Sequence, residues 1–206
     1  MANIVTVIDY GAGNLRSVAN AISSVGCSVI ITDKPADILS AKVLILPGVG
    51  SAGATMKSLE KLGLVQPIRD YIAEDRPFLG ICIGLQVLLS EAEEGGLQRC
   101  IGVIEGNVRM LKADGLKIPH IGWNQVDIGR EHPVFEGINK GTNFYFVHSY
   151  YAAPLNKAVI LGTTEYGISF PSVLQQGRLL ATQFHPEKSG SAGLKIYANF
   201  LNWVFG

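Results

Sequence analysis

No field of one sign is available to this chain, because lysine plus arginine and aspartate plus glutamate each number 17 and the formal charge is zero. There is no basic run either, so the electrostatic footprint of a nucleic-acid-binding protein is missing and no nucleic-acid partner is expected. Cysteine is scarce: Cys27, Cys82 and Cys100 are an odd set with no CxxC and no metal-ligand spacing, which suits neither a disulfide framework nor a metal site. No metal and no cofactor are therefore expected, and free thiols fit a reducing compartment. No stretch approaches the roughly 20 apolar residues of a membrane span, so no membrane partner is expected. The first ten residues lack a basic leader and a cleavage site and read as a strand, which points to a cytoplasmic protein. Repeats, low-complexity tracts and linkers are absent as well. What remains is a chain of 206 residues with 48% apolar and 17% charged content, enough for one well-buried α/β domain spanning 1–206. A near-neutral surface of this kind invites association with another protein.

Short apolar runs alternate with helical patterns in the first half. Residues 4–9, 28–32, 43–46 and 78–81 read as strands. Leu15, Val18, Ala19 and Ile22 fall at helical spacing, and residues 59–73 read as helix with a break at 63–67. Continuous apolar strands separated by helices predict a parallel sheet covered on both faces. In the second half, residues 103–111, 125–128, 143–151, 159–163, 172–175 and 179–183 look like strands joined by turns, several of them antiparallel. A last helix over 192–205 places Leu194, Tyr197, Leu201 and Val204 on one face. The predicted fold is α/β, a mixed, mostly parallel central sheet flanked by helices, with added antiparallel strands in the C-terminal half.

Against that background Gly80-Ile81-Cys82-Ile83-Gly84 stands out, because an apolar strand breaks at one nucleophilic side chain framed by glycines. This is the thiol form of a nucleophile elbow, a sharp strand-to-helix turn that exposes its central residue. Its glycines are needed where a Cβ would strike a tightly turned backbone. The helix that follows offers a dipole favouring thiolate. A buried structural cysteine is the plainer alternative.

A thiol nucleophile needs a base, and the base needs an orienting group. In Gln183-Phe184-His185-Pro186-Glu187, His185 and Glu187 are two apart and share a side of extended backbone; a solvated turn would show the same pattern. Pro47-Gly48-Val49-Gly50 supplies candidate oxyanion donors at Val49 and Gly50, with the Ile83 N–H as a second. Parallel sheets bind ligands at the carboxyl ends of their strands, so this loop and the elbow can face one crevice. The Gly11-Ala12-Gly13-Asn14 loop lacks the third glycine of a dinucleotide fingerprint, Arg16 standing in its place. A rigid loop for a ligand or partner is the better reading. His120 and His132 read as ordinary surface or interface residues, and Cys27 and Cys100 as small buried or half-buried ones.

Together, the glycine-framed Cys82 and the late His185-Pro186-Glu187 resemble the class I, triad-type glutamine amidotransferases. Asp9–Leu15, Pro47–Gly50, Pro119–Asn124, Tyr145–Tyr151 and Gln183–Ser189 are similar, more narrowly, to the glutaminase subunits of imidazole glycerol phosphate synthases. The sequence departs from that pattern at Ser51-Ala52-Gly53-Ala54, where the family commonly has a bulky aromatic. The resemblance implies a catalytic set Cys82, His185 and Glu187 acting on L-glutamine. Gln86, His148, Ser149 and Tyr150 would hold the substrate, though Gln86 equally suits a helix surface. It also implies a heterodimer with a (β/α)8-barrel cyclase subunit that consumes the ammonia. Gly11, Gly13, Asn14, Trp123 and Asn124 are the expected contacts with that partner. The Val49 peptide is expected to rest misoriented until the partner carries substrate.

Overall fold

A computed structural model describes residues 3–206. In chain order its first half runs β1 (Ile4–Ile8), α1 (Leu15–Ser24), β2 (Ser28–Thr32), α2 (Pro35–Ser40), β3 (Leu44–Leu46), α3 (Ala52–Lys61), α4 (Val65–Ala73), β4 (Phe78–Ile81) and α5 (Ile83–Gln86). The second half runs β5 (Glu91–Ala92), β6 (Gln98–Arg99), β7 (Gly106–Met110), β8 (His120–Gln125), β9 (Asp127–Ile128), β10 (Asn143–His148), β11 (Tyr150–Pro154), β12 (Ile160–Tyr166), β13 (Ile168–Gln176), β14 (Leu179–Thr182) and α6 (Gly190–Phe205).

Among the described residues, eight strands form the central sheet in the order β2-β1-β3-β4-β14-β13-β12-β9. From β2 to β14 every pairing is parallel, and from β14 onward every pairing is antiparallel. The mostly parallel sheet with antiparallel additions is thus the observed architecture. Its central strands are apolar along their length because helices cover both faces: every residue of β3 and of β4 is buried. Cover fails at the β2 edge, where Ile30 and Ile31 remain about half exposed. Two small sheets, β10-β8 and β11-β7-β5-β6, stand beside the large one.

Several elements differ from the sequence reading. Residues 143–151 are two strands: β10 pairs with β8, and β11 pairs with β7 in another sheet. Helix α3 begins at Ala52, well before the expected 59, because Ser51 caps it by accepting the Ala54 N–H (3.3 Å). The chain then breaks over Leu62, Gly63 and Leu64 into α4. Short α2, opened by Pro35, carried no helical periodicity long enough to read. On α6 the inward face is Ile196, Tyr197, Phe200, Leu201 and Val204, while Leu194 is exposed.

The sheet order matters most for chemistry. Strands β1, β3, β4 and β14 are parallel neighbours, so their carboxyl ends deliver four loops side by side. These are Gly11–Asn14, Pro47–Gly50, the Cys82 turn and the Gln183–Glu187 segment.

Candidate active site

Cys82 sits at φ 55° and ψ −105°, a backbone region that β-carbon-bearing residues avoid. The strain is held from both sides. The Cys82 N–H donates to the Thr182 carbonyl at 2.7 Å, extending the β4–β14 ladder, and its own carbonyl accepts from Leu85 and Gln86. The frame must be glycine. A Cβ on Gly80 would lie 2.7 Å from the Gly84 carbonyl, and one on Gly84 would fall on the Leu46 carbonyl of β3. The helix beyond is a single turn, Ile83–Gln86, so its dipole is much smaller than the sequence suggested. As its first residue, Ile83 has an N–H with no intrahelical acceptor.

Across the cleft, His185 Nδ1 and Glu187 Oε1 are 2.8 Å apart with both side chains 1% exposed. The turn Pro186–Lys188 folds the carboxylate back onto the imidazole. Among the described residues Nε2 has no partner within hydrogen-bond distance, and His185 shares the cavity with Cys82. Burial alone would pull this imidazole down; Cys82 and Glu187 outweigh burial and push it up to about 10. At neutral pH His185 is therefore an imidazolium, an acid placed beside the nucleophilic sulfur.

A cavity of about 340 Å³ joins these groups. Val49, Gly50, Cys82, Ile83, Gln86, His148, Ser149, Tyr150 and His185 all line it. Ten of the residues singled out by sequence therefore gather in one place, Glu187 directly behind His185. Gly48 packs beneath Val49, where a Cβ would stand 2.7 Å from the Ile83 Cβ. The segment 51–54 that departs from the family pattern caps α3 and buries Ala52, whose N–H donates to Glu94 Oε2 at 3.0 Å. Gln86 is not a helix-surface residue: it is 2% exposed, and its Nε2 donates to the Tyr150 carbonyl (2.8 Å) and to Gln183 Oε1 (3.1 Å). Gln183 in turn donates from Nε2 to the Cys82 sulfur at 3.6 Å.

The expected contact residues lie apart from this cavity. Gly11 is exposed, Gly13 and Asn14 are half-buried, and Trp123 is 57% exposed. Asn124 turns inward: its Nδ2 faces His120 Nε2 (3.3 Å) and donates to the Glu165 carbonyl (2.9 Å). His120 is also inside, 3% exposed and stacked between Phe146 and Tyr166, which corrects its reading as a surface residue. His132 caps the turn Pro133–Phe135 and borders a larger hollow of about 930 Å³ that no cysteine lines. Cys27 is half-buried and Cys100 buried, as their small apolar character suggests.

Sequence reasoning missed Glu94 and Gln183. Glu94, the acidic side chain in the cavity wall, sat in a polar turn with nothing in its neighbours to mark it. Gln183 could have been found, since an amide between the strand residues Leu179–Thr182 and Phe184 is a long polar side chain where burial is expected, and it is fully buried.

A thiol on a glycine-framed elbow, faced by a histidine–carboxylate pair at the carboxyl edge of such a sheet, matches the class-I glutamine amidotransferase model over residues 6–203, and the chain belongs to that family. Solved structures agree at the level of fold. A glutamine amidotransferase superposes with a TM-score of 0.77 at 22% identity, covering 98% of this chain and 99% of that one. PurLQS from Thermotoga maritima gives a TM-score of 0.75 at 18% identity, covering 98% and 99%. The narrower placement comes from close relatives. Imidazole glycerol phosphate synthase subunit HisH of Dehalococcoides mccartyi (strain CBDB1) is 51% identical over 98% of each chain. The subunit HisH of Chloroflexus aurantiacus is 51% identical over 97% of this chain and 96% of its own. Within the amidotransferases, this chain is a member of the HisH family.

Proposed function

We propose that this chain is the glutaminase half of an imidazole glycerol phosphate synthase in histidine biosynthesis. It would work in the cytoplasm as a heterodimer with a (β/α)8-barrel cyclase subunit. The observation that carries the reading is the buried His185–Glu187 pair at 2.8 Å sharing one cavity with the strained Cys82.

The Cys82 thiolate, its proton held by the His185 imidazolium, attacks the carboxamide carbon of L-glutamine, and the oxygen becomes an oxyanion held by the Ile83 N–H and an N–H at Val49 or Gly50. Losing one such donor commonly costs about 3 kcal/mol of barrier. The C–N bond then breaks as His185 gives its proton to the departing nitrogen, releasing ammonia and leaving a γ-glutamyl thioester. His185, now neutral, takes a proton from water; the water oxygen adds to the thioester, and glutamate leaves as the sulfur is restored. Glu187 holds the imidazole in one tautomer throughout. Glu94 offers a negative charge to the substrate's α-ammonium group, and the Val147–Tyr150 segment forms the opposite wall. Gln86 braces that wall, both of its amide hydrogens being bonded within the protein.

Ammonia passes to the partner, which uses it to make imidazole glycerol phosphate and aminoimidazole carboxamide ribotide. Rotation of the Val49 peptide into the cleft couples hydrolysis to a loaded partner. Glutamine hydrolysis measured with and without a substrate-loaded barrel cyclase tests the reading: a large stimulation is expected, and equal rates would refute it.

A further inference from the structure

A continuous hydrogen-bonded chain runs from the exposed strand β8 to the Cys82 sulfur, and its direction can be read from its two ends. At the outer end the Asn124 amide is fixed, because its Oδ1 accepts the Gln125 N–H (2.8 Å) and its Nδ2 donates to the Glu165 carbonyl (2.9 Å). Its remaining N–H therefore faces His120 Nε2 at 3.3 Å, so that nitrogen is the acceptor and His120 carries its hydrogen on Nδ1. At the inner end His148 Nδ1 lies 2.9 Å from the Tyr150 carbonyl, which can only accept, so His148 also carries its hydrogen on Nδ1. Both assignments meet in the middle without conflict: His120 Nδ1–H donates to His148 Nε2 at 3.0 Å. Either imidazole, if protonated, would set one N–H against another.

We propose that His120 is a positioning residue for the substrate cavity: its one directed hydrogen bond from strand β8 to His148 fixes the Val147–Tyr150 wall, and Asn124, on the same strand, ties His120 to the Glu165 carbonyl of β12. The wall is where β10 gives way to β11, a change of sheet with no turn residue to stiffen it. His148 clamps this point by bonding the carbonyl two residues on, and the same carbonyl accepts Gln86 Nε2–H at 2.8 Å. From Gln86 the chain continues through Gln183 to the sulfur. The pair is kept neutral as well as directed, since burial pulls both imidazoles down to about 4. Strand β8 also carries Trp123 and Ile121, which are more than half exposed, so the strand that holds His120 against the wall also presents an apolar outer face.

The inference rests on reading the cavity as a glutamine site, and two measurements separate its failure from failure of that reading. The first is 15N NMR of the imidazoles in the unmodified protein between about pH 6 and 8, where His120 and His148 are both expected as Nδ1–H tautomers; Nε2–H on either one overturns the relay. The second is covalent labelling of Cys82 by a glutamine-like chloroketone. In His120→Phe, which keeps ring packing but removes the donor, the half-saturating concentration is expected to rise about tenfold, the size of one lost buried hydrogen bond. The maximal labelling rate should change far less. His120→Asn, whose Nδ2–H stands near the place of histidine Nδ1–H, should restore half-saturation to within about twofold, whereas a purely packing role would favour Phe over Asn. A Phe variant that binds like the parent, or an Asn variant no better than Phe, overturns the proposal. Unlabelled parent protein would instead sink the glutamine reading, and if the Phe variant does not fold, the tautomers decide.

Discussion

Three histidines hold opposite charge states within one small region, and the reason is their neighbours. His185 faces a thiol and a carboxylate and is held up to about 10, whereas His120 and His148 face each other and are pulled down to about 4 by burial. The signs differ for stability. His185, raised above its unfolded value near 6.5, stabilises the fold fully below that pH and loses its contribution as pH rises toward 10. The neutral pair contributes above 6.5 and loses its contribution as pH falls toward 4. Urea midpoints are therefore expected to peak near neutrality, and His185→Gln should flatten the alkaline side alone. An unchanged alkaline slope in that variant would contradict the ion pairing. At this scale much was legible in the sequence: Cys82 was marked by its glycines and His185 by the carboxylate two residues on. His120 was not, because a histidine inside an alternating strand looks the same whether its side chain points to water or to another imidazole.

Among the elements, the short turn from β4 into α5 is a junction with no room for a side chain at Gly80 or Gly84. Gly84→Ala would drive a Cβ onto the Leu46 carbonyl, and neither strand can yield without disturbing the sheet. Such overpacking typically costs about 1–3 kcal/mol, or more against backbone. Calorimetry should show Tm lower by at least several degrees; an unchanged Tm would mean that the elbow relaxes freely. Apolar strands β1 to β4 could be read from sequence because burial on both faces writes a continuous apolar run. The β10–β11 division could not: residues 143–151 hold no glycine or proline, and the chain passes from one sheet to another at Ser149 without a turn signal. Four-residue α5 and six-residue α2 are likewise too short to show a period.

For the molecule as a whole, the parallel order β1-β3-β4-β14 brings four separate loops to one edge, and no local sequence feature announces that order. Only the loops' chemistry, seen together, pointed to one cleft. Trp123 projects from β8 beside this edge, 57% exposed and edge-on to Tyr145 at 6.0 Å. If it anchors the proposed cyclase partner, Trp123→Ala should weaken association by about 2 kcal/mol or more, roughly thirtyfold, with little change in the Tm of the isolated chain. Titration calorimetry with the cyclase would show this, and undiminished affinity would move the contact elsewhere. The division of labour between subunits has one most direct test: synthesis of imidazole glycerol phosphate by the complex carrying Cys82→Ala, supplied with glutamine or with ammonium. Lost synthesis from glutamine and retained synthesis from ammonium is the predicted result. Synthesis that persists with glutamine, or fails with both nitrogen sources, would contradict it.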